Sequence, residues 1–259
     1  DHIDLKAAKA RGISVTNVPT YGENTVAEHT FALILSLSRN LKTAYFRTEA
    51  GNFSIDGLMG FDLKGKTIGV IGTGRIGLHV IRMAVGFGMN VLAYDVKQES
   101  FLAEVMNFRY AALDELLRKS DIITLHVPYM SATHHLINRE NIKWMKKGAI
   151  LINTARGGLV DTDALMKALD EGILAGAGLD VLEGEDLIQE EKRLLSQGYT
   201  QESWNKLQTM LKNHIILTRG NVIFTPHIAF YSKEAVERIL ETTTENIKSF
   251  LAKRTINLV

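Results

Sequence analysis

From Thr67 onward, hydrophobic and polar positions fall into two alternating rhythms. "TIGVI" is a short, β-branched apolar run, and "RIGLHVIRMAVGFG" follows with apolar residues at helical spacing. The pattern then repeats. "NVLAYD", "DIITLHV", "AILINTA", "AGAGLDV" and "NVIFT" read as strands, while "LDELLRKS", "NRENIKWMKKG" and "DTDALMKALDEG" between them read as helices. Strands that are apolar nearly throughout, alternating with amphipathic helices, predict a parallel sheet covered on both faces. The expected class is therefore α/β, a doubly wound parallel sheet with ligands at the carboxyl ends of its strands.

Two segments stand outside this series. "TVAEHTFALILSLSRNL" is apolar around most of a helix, which predicts burial on several sides, and "SKEAVERILETTTENIKSFLAKR" reads as a long amphipathic helix. The opening "DHIDLKAAKARGISVTNVPT" reads as a short helix running into a strand, as if a domain were entered partway through. A chain that enters through one helix and leaves through another implies a second domain built from both ends. The polar, helix-prone stretch "DLIQEEKRLLSQGYTQESWNKLQTMLKN" is inserted between the last two strands.

Composition narrows the partners. With 259 residues, 46% hydrophobic and 23% charged, the chain has the make-up of a globular protein with a sizeable core. A net charge of +1 with scattered basic residues argues against nucleic acid or a membrane surface as partner. The longest apolar run, "FALILSL", is far too short to span a bilayer, and no signal peptide is read in the opening residues. There is no cysteine, so disulfides and thiolate chemistry are out, and a cytoplasmic location is expected.

Candidate chemistry begins at "VIGTGRIG", which places Gly72, Gly74 and Gly77 in GxGxxG spacing between a strand and a helix. The first glycine permits a tight turn, the second lets backbone approach a pyrophosphate, and the third lets helix and strand pack closely. The helix N-terminus then offers N–H groups to the phosphates. Glycine-rich turns also serve packing alone, but "NVLAYD" ends in Asp95, an acidic residue where ribose hydroxyls are expected. A carboxylate there repels a 2′-phosphate, so NAD is expected over NADP.

Three further stretches, "NTARGGLVD", "LDVLEGE" and "TPHIAF", end strands at the same predicted edge and offer Arg156, Glu185 and His227. An arginine clamps a carboxylate and polarises its neighbour, a histidine exchanges a proton with oxygen, and a carboxylate holds the ring. With a hydride carrier, these groups interconvert a 2-keto acid and a 2-hydroxy acid. Each also has an ordinary reading: a surface arginine on a turn, a loop histidine, one exposed acid among several. Spacing alone does not bring the three together.

"TVAEHTFALILSLSRN", "LKGKTIGVIGTGRIG", "ILINTARGGLVDTDAL", "GAGLDVLEGE" and "VIFTPHIAFYS" together resemble the D-isomer-specific 2-hydroxyacid dehydrogenases, in order and over essentially the whole chain. The resemblance implies a Rossmann-type coenzyme domain hinged to a flavodoxin-like substrate domain made from both chain ends. The corresponding division is residues 1–21, 22–229 and 230–259, the last a helix returning to the substrate domain. It also implies an Arg–Glu–His set at Arg156, Glu185 and His227, with Glu185 rather than Glu183 as the partner of the histidine. By the same likeness Arg75 and Ile76 lie over the pyrophosphate, and Val127, Pro128 and Thr133 line the dinucleotide. Thr154 and Ala155 lie beside the nicotinamide ribose, and Asp180 holds the nicotinamide amide. "NVPTYGENTVAEH" and "PHIAFYS" are most similar to the D-lactate dehydrogenase branch, which implies that Tyr21 faces the substrate; a hinge aromatic packing between domains is the alternative. Two features depart from the pattern: Asp186 follows Glu185 where many relatives have proline, and the insertion around Leu187–Asn213 is longer than usual.

On this likeness the opening residues match the last helix and strand of the substrate domain, so that about a hundred residues would precede them. A fragment of that kind is expected to bind NAD and turn over poorly. The expected activity is NAD-dependent interconversion of a small 2-keto acid and its D-2-hydroxy acid, pyruvate and D-lactate in type. The alternatives are a glyoxylate or hydroxypyruvate reductase and a non-enzymatic, NAD-sensing dimer of corepressor type. The apolar helix around Thr25–Asn40 leads to an expected homodimer that buries it. No metal is expected, because the adjacent His134 and His135 project apart in regular structure and lack a third ligand.

Overall fold

The computed structural model describes residues 3–185 and 201–259 of the chain. Asp186 and the first part of the insertion, residues 187–200, lie outside the described residues. Two compact units are present, one of residues 26–229 and one formed by residues 1–25 with 230–259.

The larger unit is built on a single parallel sheet. Its strands are β1 (Thr67–Ile71), β2 (Asn90–Tyr94), β3 (Arg109–Tyr110), β4 (Ile122–Leu125), β5 (Ala149–Asn153), β6 (Leu174–Leu179) and β7 (Val222–Phe224). They lie in the order β3-β2-β1-β4-β5-β6-β7, so the strand order reverses between β1 and β4. A crevice at that reversal, outside the carboxyl ends of the strands, is where this architecture binds ligands. The sheet includes the two-residue edge strand β3, which the hydrophobic pattern did not single out.

Both faces of the sheet are buried, which is why its strands are apolar at successive positions. Ile150 and Ile152 point into one hydrophobic layer with Ile68, Val70, Val91 and Ile122. Ala149 and Leu151 point into the other with Ile71, Ile123, Leu125, Ala177 and Leu179. The first layer is covered by α2 (Glu23–Ser38) and α4 (Arg75–Gly86), the second by α6 (Leu113–Lys119) and α7 (Thr162–Asp170); α3 (Leu41–Glu49) follows α2 in the chain and α5 (Ser100–Val105) follows β2. A fully buried leucine or isoleucine in such a layer contributes about 1.5–3 kcal/mol.

The apolar helix α2 is covered by its own chain. A Cβ on Gly178 would lie 3.0 Å from Cβ of Leu33, and one on Gly176 would lie 3.2 Å from a methyl of Leu37. The glycines of "AGAGLDV" thus let α2 settle on β6, and Phe31, Leu33 and Ile34 are buried there. This corrects the reason given for a dimer: the apolar character of the helix is spent within one chain.

Two predicted elements differ. "NRENIKWMKKG" forms only a 3₁₀ turn at Ile142–Trp144. Asn138 and Asn141 bond local backbone instead: Asn141 Nδ2 donates to the Leu136 carbonyl at 2.7 Å, and Asn138 Oδ1 accepts from Glu140 N at 2.9 Å. Such bonds compete with helix formation. The insertion ends in α8 (Gln201–Leu217), whose Ile216 is fully buried in the second layer and whose Lys212 pairs with Asp163 at 2.6 Å. Within the insertion, Asn213 is fully buried and its Nδ2 donates to the Glu183 carbonyl at 2.9 Å.

In the smaller unit, α1 (Leu5–Ala10) is capped by Asp4, whose Oδ1 accepts from Ala7 N, and α9 (Lys233–Leu251) is capped by Ser232. The strand expected after α1 is reduced to one antiparallel bridge between Thr16 and Leu258. Tyr21 packs edge-on against Phe230 with centroids 6.0 Å apart, and its carbonyl accepts from Arg238 Nε at 2.8 Å.

Candidate active site

The three glycines after β1 differ in what confines them. Gly72 has φ +101, and a Cβ there would come within 2.7 Å of the His126 backbone. Gly77 would drive a Cβ into the Gly72 carbonyl. Gly74, the N-cap of α4, meets nothing within 4 Å, so open space lies over the helix N-terminus at Arg75 and Ile76. One glycine makes the turn, one allows close packing, and one leaves a cradle for a pyrophosphate at a positive helix end. These residues fit a dinucleotide.

Asp95 stands just beyond β2 and is tied to this turn. Its Oδ2 accepts from Thr73 N at 2.7 Å and Thr73 Oγ1 at 3.0 Å, and its Oδ1 from Lys97 N at 3.0 Å. Partial burial pushes the carboxyl upward, but the donors on Lys97, Thr73 and Val96 together hold it below the ordinary carboxylate range. A fixed negative charge at the end of the second strand is suited to ribose hydroxyls. Across the crevice, Val127, Pro128 and Thr133 share one loop after β4, closed where Thr133 Oγ1 donates to the Pro128 carbonyl at 2.7 Å.

Register sets the other residues along the same edge. Asn153 pairs with Leu179, and Leu179 with Phe224, so β5, β6 and β7 end level. Thr154, Ala155 and Arg156 follow β5, Asp180 follows β6, and His227 lies three residues beyond β7. At about 4.8 Å between strands, β5 and β7 stand about 10 Å apart with β6 between them. Arg156 is exposed and extended; Asn153 Nδ2 grips its carbonyl at 2.9 Å, and its Nη1 donates to the Ala155 carbonyl at 2.7 Å. The glycine after it has a positional reason, since a Cβ on Gly157 would overlap the Leu182 backbone.

His227 Nδ1 lies 2.9 Å from Glu185 Oε1, with the two side chains 45% and 31% exposed. The other carboxylate oxygen of Glu185 accepts from Leu182 N at 3.1 Å. Glu183 turns the other way, to His135 at 2.8 Å and Thr162 at 2.9 Å. His227 itself sits at φ +55, and that conformation is imposed by the buried Asp180. The Asp180 carboxylate accepts from Thr225 Oγ1, Ile228 N and Ala229 N, while its backbone carbonyl accepts from His227 N.

Two polar residues of α2 support this edge and carried no functional reading in the sequence. His29 Nε2 lies 2.9 Å from Thr225 Oγ1 and 3.6 Å from Asp180 Oδ1, and Thr30 Oγ1 lies 3.1 Å from Thr154 Oγ1. The signal was present as a histidine and a threonine next to each other at the head of the helix's apolar run. A further correction concerns His134 and His135. They do not project apart: their rings stack at 3.8 Å, and the Glu183 carboxylate stands beside them.

Comparison with known proteins gives the family. Residues 31–229 match the family model of the D-isomer specific 2-hydroxyacid dehydrogenase NAD binding domain. A 2-hydroxyacid dehydrogenase homolog of Haemophilus influenzae is 42% identical over 248 residues, covering 95% of this chain and 71% of that protein. An aromatic 2-oxoacid reductase of Clostridium sporogenes is 41% identical over 259 residues, covering 98% and 74%. The crystal structure of D-lactate dehydrogenase from Aquifex aeolicus, complexed with NAD and lactic acid, superposes with a TM-score of 0.87 at 46% identity, covering 98% of this chain and 74% of that one. The chain belongs to the D-isomer specific 2-hydroxyacid dehydrogenase family. It is an NAD-dependent oxidoreductase on a Rossmann-type sheet, spanning about three quarters of the length of these relatives.

Proposed function

We propose that the protein reduces a small 2-oxo acid of the pyruvate type to the D-2-hydroxy acid. The observation that carries this reading is the Glu185–His227 pair, held by Asp180 at the sheet edge that also carries the glycine turn. NADH, when bound, supplies the hydride to the carbonyl carbon. His227, with Nδ1 held by Glu185, gives its proton from Nε2 to the carbonyl oxygen, and the carboxylate steadies the ring in that role. Arg156 grips the substrate carboxylate through its guanidinium and polarises the neighbouring carbonyl. Gly74, Arg75 and Ile76 take the pyrophosphate, with Gly72 and Gly77 shaping the turn beneath it, and Asp95 takes the ribose hydroxyls. Val127, Pro128 and Thr133 line the dinucleotide, and Thr154 and Ala155 flank the nicotinamide ribose. Asp180, expected to receive the carboxamide, is fully buried with its carboxylate bonded to Thr225, Ile228 and Ala229, so it shapes the histidine loop instead.

A second reading, a 2-oxo acid with an aromatic side chain, is favoured by the Clostridium relative. A panel of pyruvate, glyoxylate, hydroxypyruvate and phenylpyruvate, run on a polypeptide of the relatives' full length because the present chain is expected to turn over poorly, and followed by loss of NADH absorbance, separates these. The highest kcat/KM is expected for pyruvate; a preference for phenylpyruvate moves the assignment to the second reading. Binding of NADH without turnover of any 2-oxo acid would overturn both and leave the NAD-sensing protein. We also assign a homodimer, now on different grounds: Tyr45, Phe46, Phe53, Ile55 and Met59 expose apolar surface that a second copy would cover. Sedimentation at micromolar concentration is expected to give the dimer mass, and a monomer would contradict it. Among the described residues, no helix is long and apolar enough to cross a membrane.

A further inference from the structure

We propose that His134, His135 and Glu183 form a binding site for a divalent transition-metal ion of the Zn²⁺ type, separate from the Glu185–His227 pair. The three residues each offer one ligand atom, and these atoms lie within 4.8 Å of one another. His135 Nε2 and Glu183 Oε1 are 2.8 Å apart. Two ligands held at about 2.0–2.1 Å from one tetrahedral ion stand about 3.3 Å apart, so that pair is already close to ligating separation. The third ligand has the freedom to close the set, because His134 is exposed on the rim of the loop.

The chain geometry explains why neighbours in sequence share a site. His135 adopts φ +49, which turns the backbone between the two residues and stacks their rings at 3.8 Å with planes 26° apart. The turn is pinned by His135 N donating to the Gly158 carbonyl at 2.9 Å. Glu183 is fixed from another side, its backbone carbonyl accepting from Asn213 Nδ2 at 2.9 Å.

The outer partners are those that orient metal ligands. Tyr129 OH lies 3.1 Å from His134 Nδ1, which directs Nε2 of that ring to an ion. Thr162 Oγ1 donates to Glu183 Oε2 at 2.9 Å, which directs Oε1 to it. Ligating imidazoles and carboxylates are held through their second polar atom in this way. Two nitrogens and one carboxylate oxygen, with a fourth position open to water, suit Zn²⁺ and its neighbours, whereas Mg²⁺ and Ca²⁺ take all-oxygen shells. The ion takes the place of the hydrogen bond between His135 and Glu183, with no redox step.

Calorimetric titration of the protein with ZnCl₂ tests this, with MgCl₂ as the control. One Zn²⁺ per chain is expected, with no heat from Mg²⁺ beyond dilution. His134→Ala and Glu183→Gln are each expected to weaken that site by about tenfold or more. Circular dichroism and NADH binding check that both variants are folded, and Co²⁺ in place of Zn²⁺ is expected to give tetrahedral visible absorption in the wild type only. Absence of a Zn²⁺ site in the folded wild type, or a site of equal affinity in both folded variants, would overturn the proposal. Zinc binding is measured without turnover, so it stands or falls apart from the dehydrogenase reading.

Discussion

Replacing Asp180 by asparagine tests whether one buried carboxylate shapes the histidine loop. The side chain is fully buried and accepts three hydrogen bonds, from Thr225 Oγ1 and Ile228 N on Oδ1 and from Ala229 N on Oδ2. An asparagine supplies one acceptor and one donor. In its better orientation the new NH₂ replaces Oδ2 and confronts the Ala229 N–H, a residue only 4% exposed. One charge-assisted bond is lost, about 1.5–3 kcal/mol, and the buried N–H left without a partner costs about 1–3 kcal/mol more. Relief of the buried charge offsets part of this. The net loss expected is about 2 kcal/mol, or about 4–8 °C in Tm for a chain of this size. The loop it loosens carries His227, so kcat is expected to fall further than stability alone explains, by about tenfold or more at a temperature where the variant is folded. Thermal unfolding and steady-state reduction of pyruvate measure the two effects. Wild-type Tm together with wild-type kcat would refute the reasoning.

Two other outcomes follow from single contacts. A Cβ on Gly157 would overlap the Leu182 backbone, so Gly157→Ala is expected to displace the 182–185 loop and lower kcat by about tenfold while NADH affinity changes little; an unaltered kcat would contradict the contact. His126, whose Nε2 lies 2.8 Å from Thr124 Oγ1, is pushed down to about 3 by burial. The unfolded chain takes up this proton near pH 6.5 and the folded chain does not, so the stability contributed by the neutral ring is complete above that pH. It is lost as pH falls from about 6.5 toward 3, at up to about 1.4 kcal/mol per pH unit, or about 2 kcal/mol by pH 5. Asp95, Asp121 and Asp163 are held below the usual carboxylate range and lose their contributions only at lower pH. Tm between pH 7 and 5 is expected to flatten in His126→Asn, and an unchanged slope would refute the assignment.

The glycine turn and the sheet were legible because each rests on a backbone requirement that leaves few residue choices. Gly72 needs its positive φ, Gly77 needs to lack a Cβ, and a sheet buried on both faces needs apolar residues at successive positions. What was not legible depends on contacts between distant segments or on single dihedral angles. The apolar circumference of α2 reads the same whether its own sheet or a partner covers it; Gly176 and Gly178 on β6 settle that, and their relation to Leu33 and Leu37 exists only in three dimensions. Stacking of His134 on His135 follows from one left-handed residue that periodicity does not register. The 3₁₀ turn at Ile142–Trp144 is decided by Asn138 and Asn141 bonding local backbone. The two residues of β3 are too few to form a pattern.

In the proposed reaction His227 hands a proton to the substrate. Steady-state reduction of pyruvate by His227→Ala in a polypeptide of the relatives' full length, beside the Kd of NADH for the same variant, tests it most directly. Loss of a positioned general acid is expected to lower kcat by about 10²–10⁴-fold, while NADH binds within about threefold of wild type because the glycine turn and Asp95 are untouched. A variant that reduces pyruvate at the wild-type rate, or one that loses NADH binding in step with its rate, would contradict the central claim.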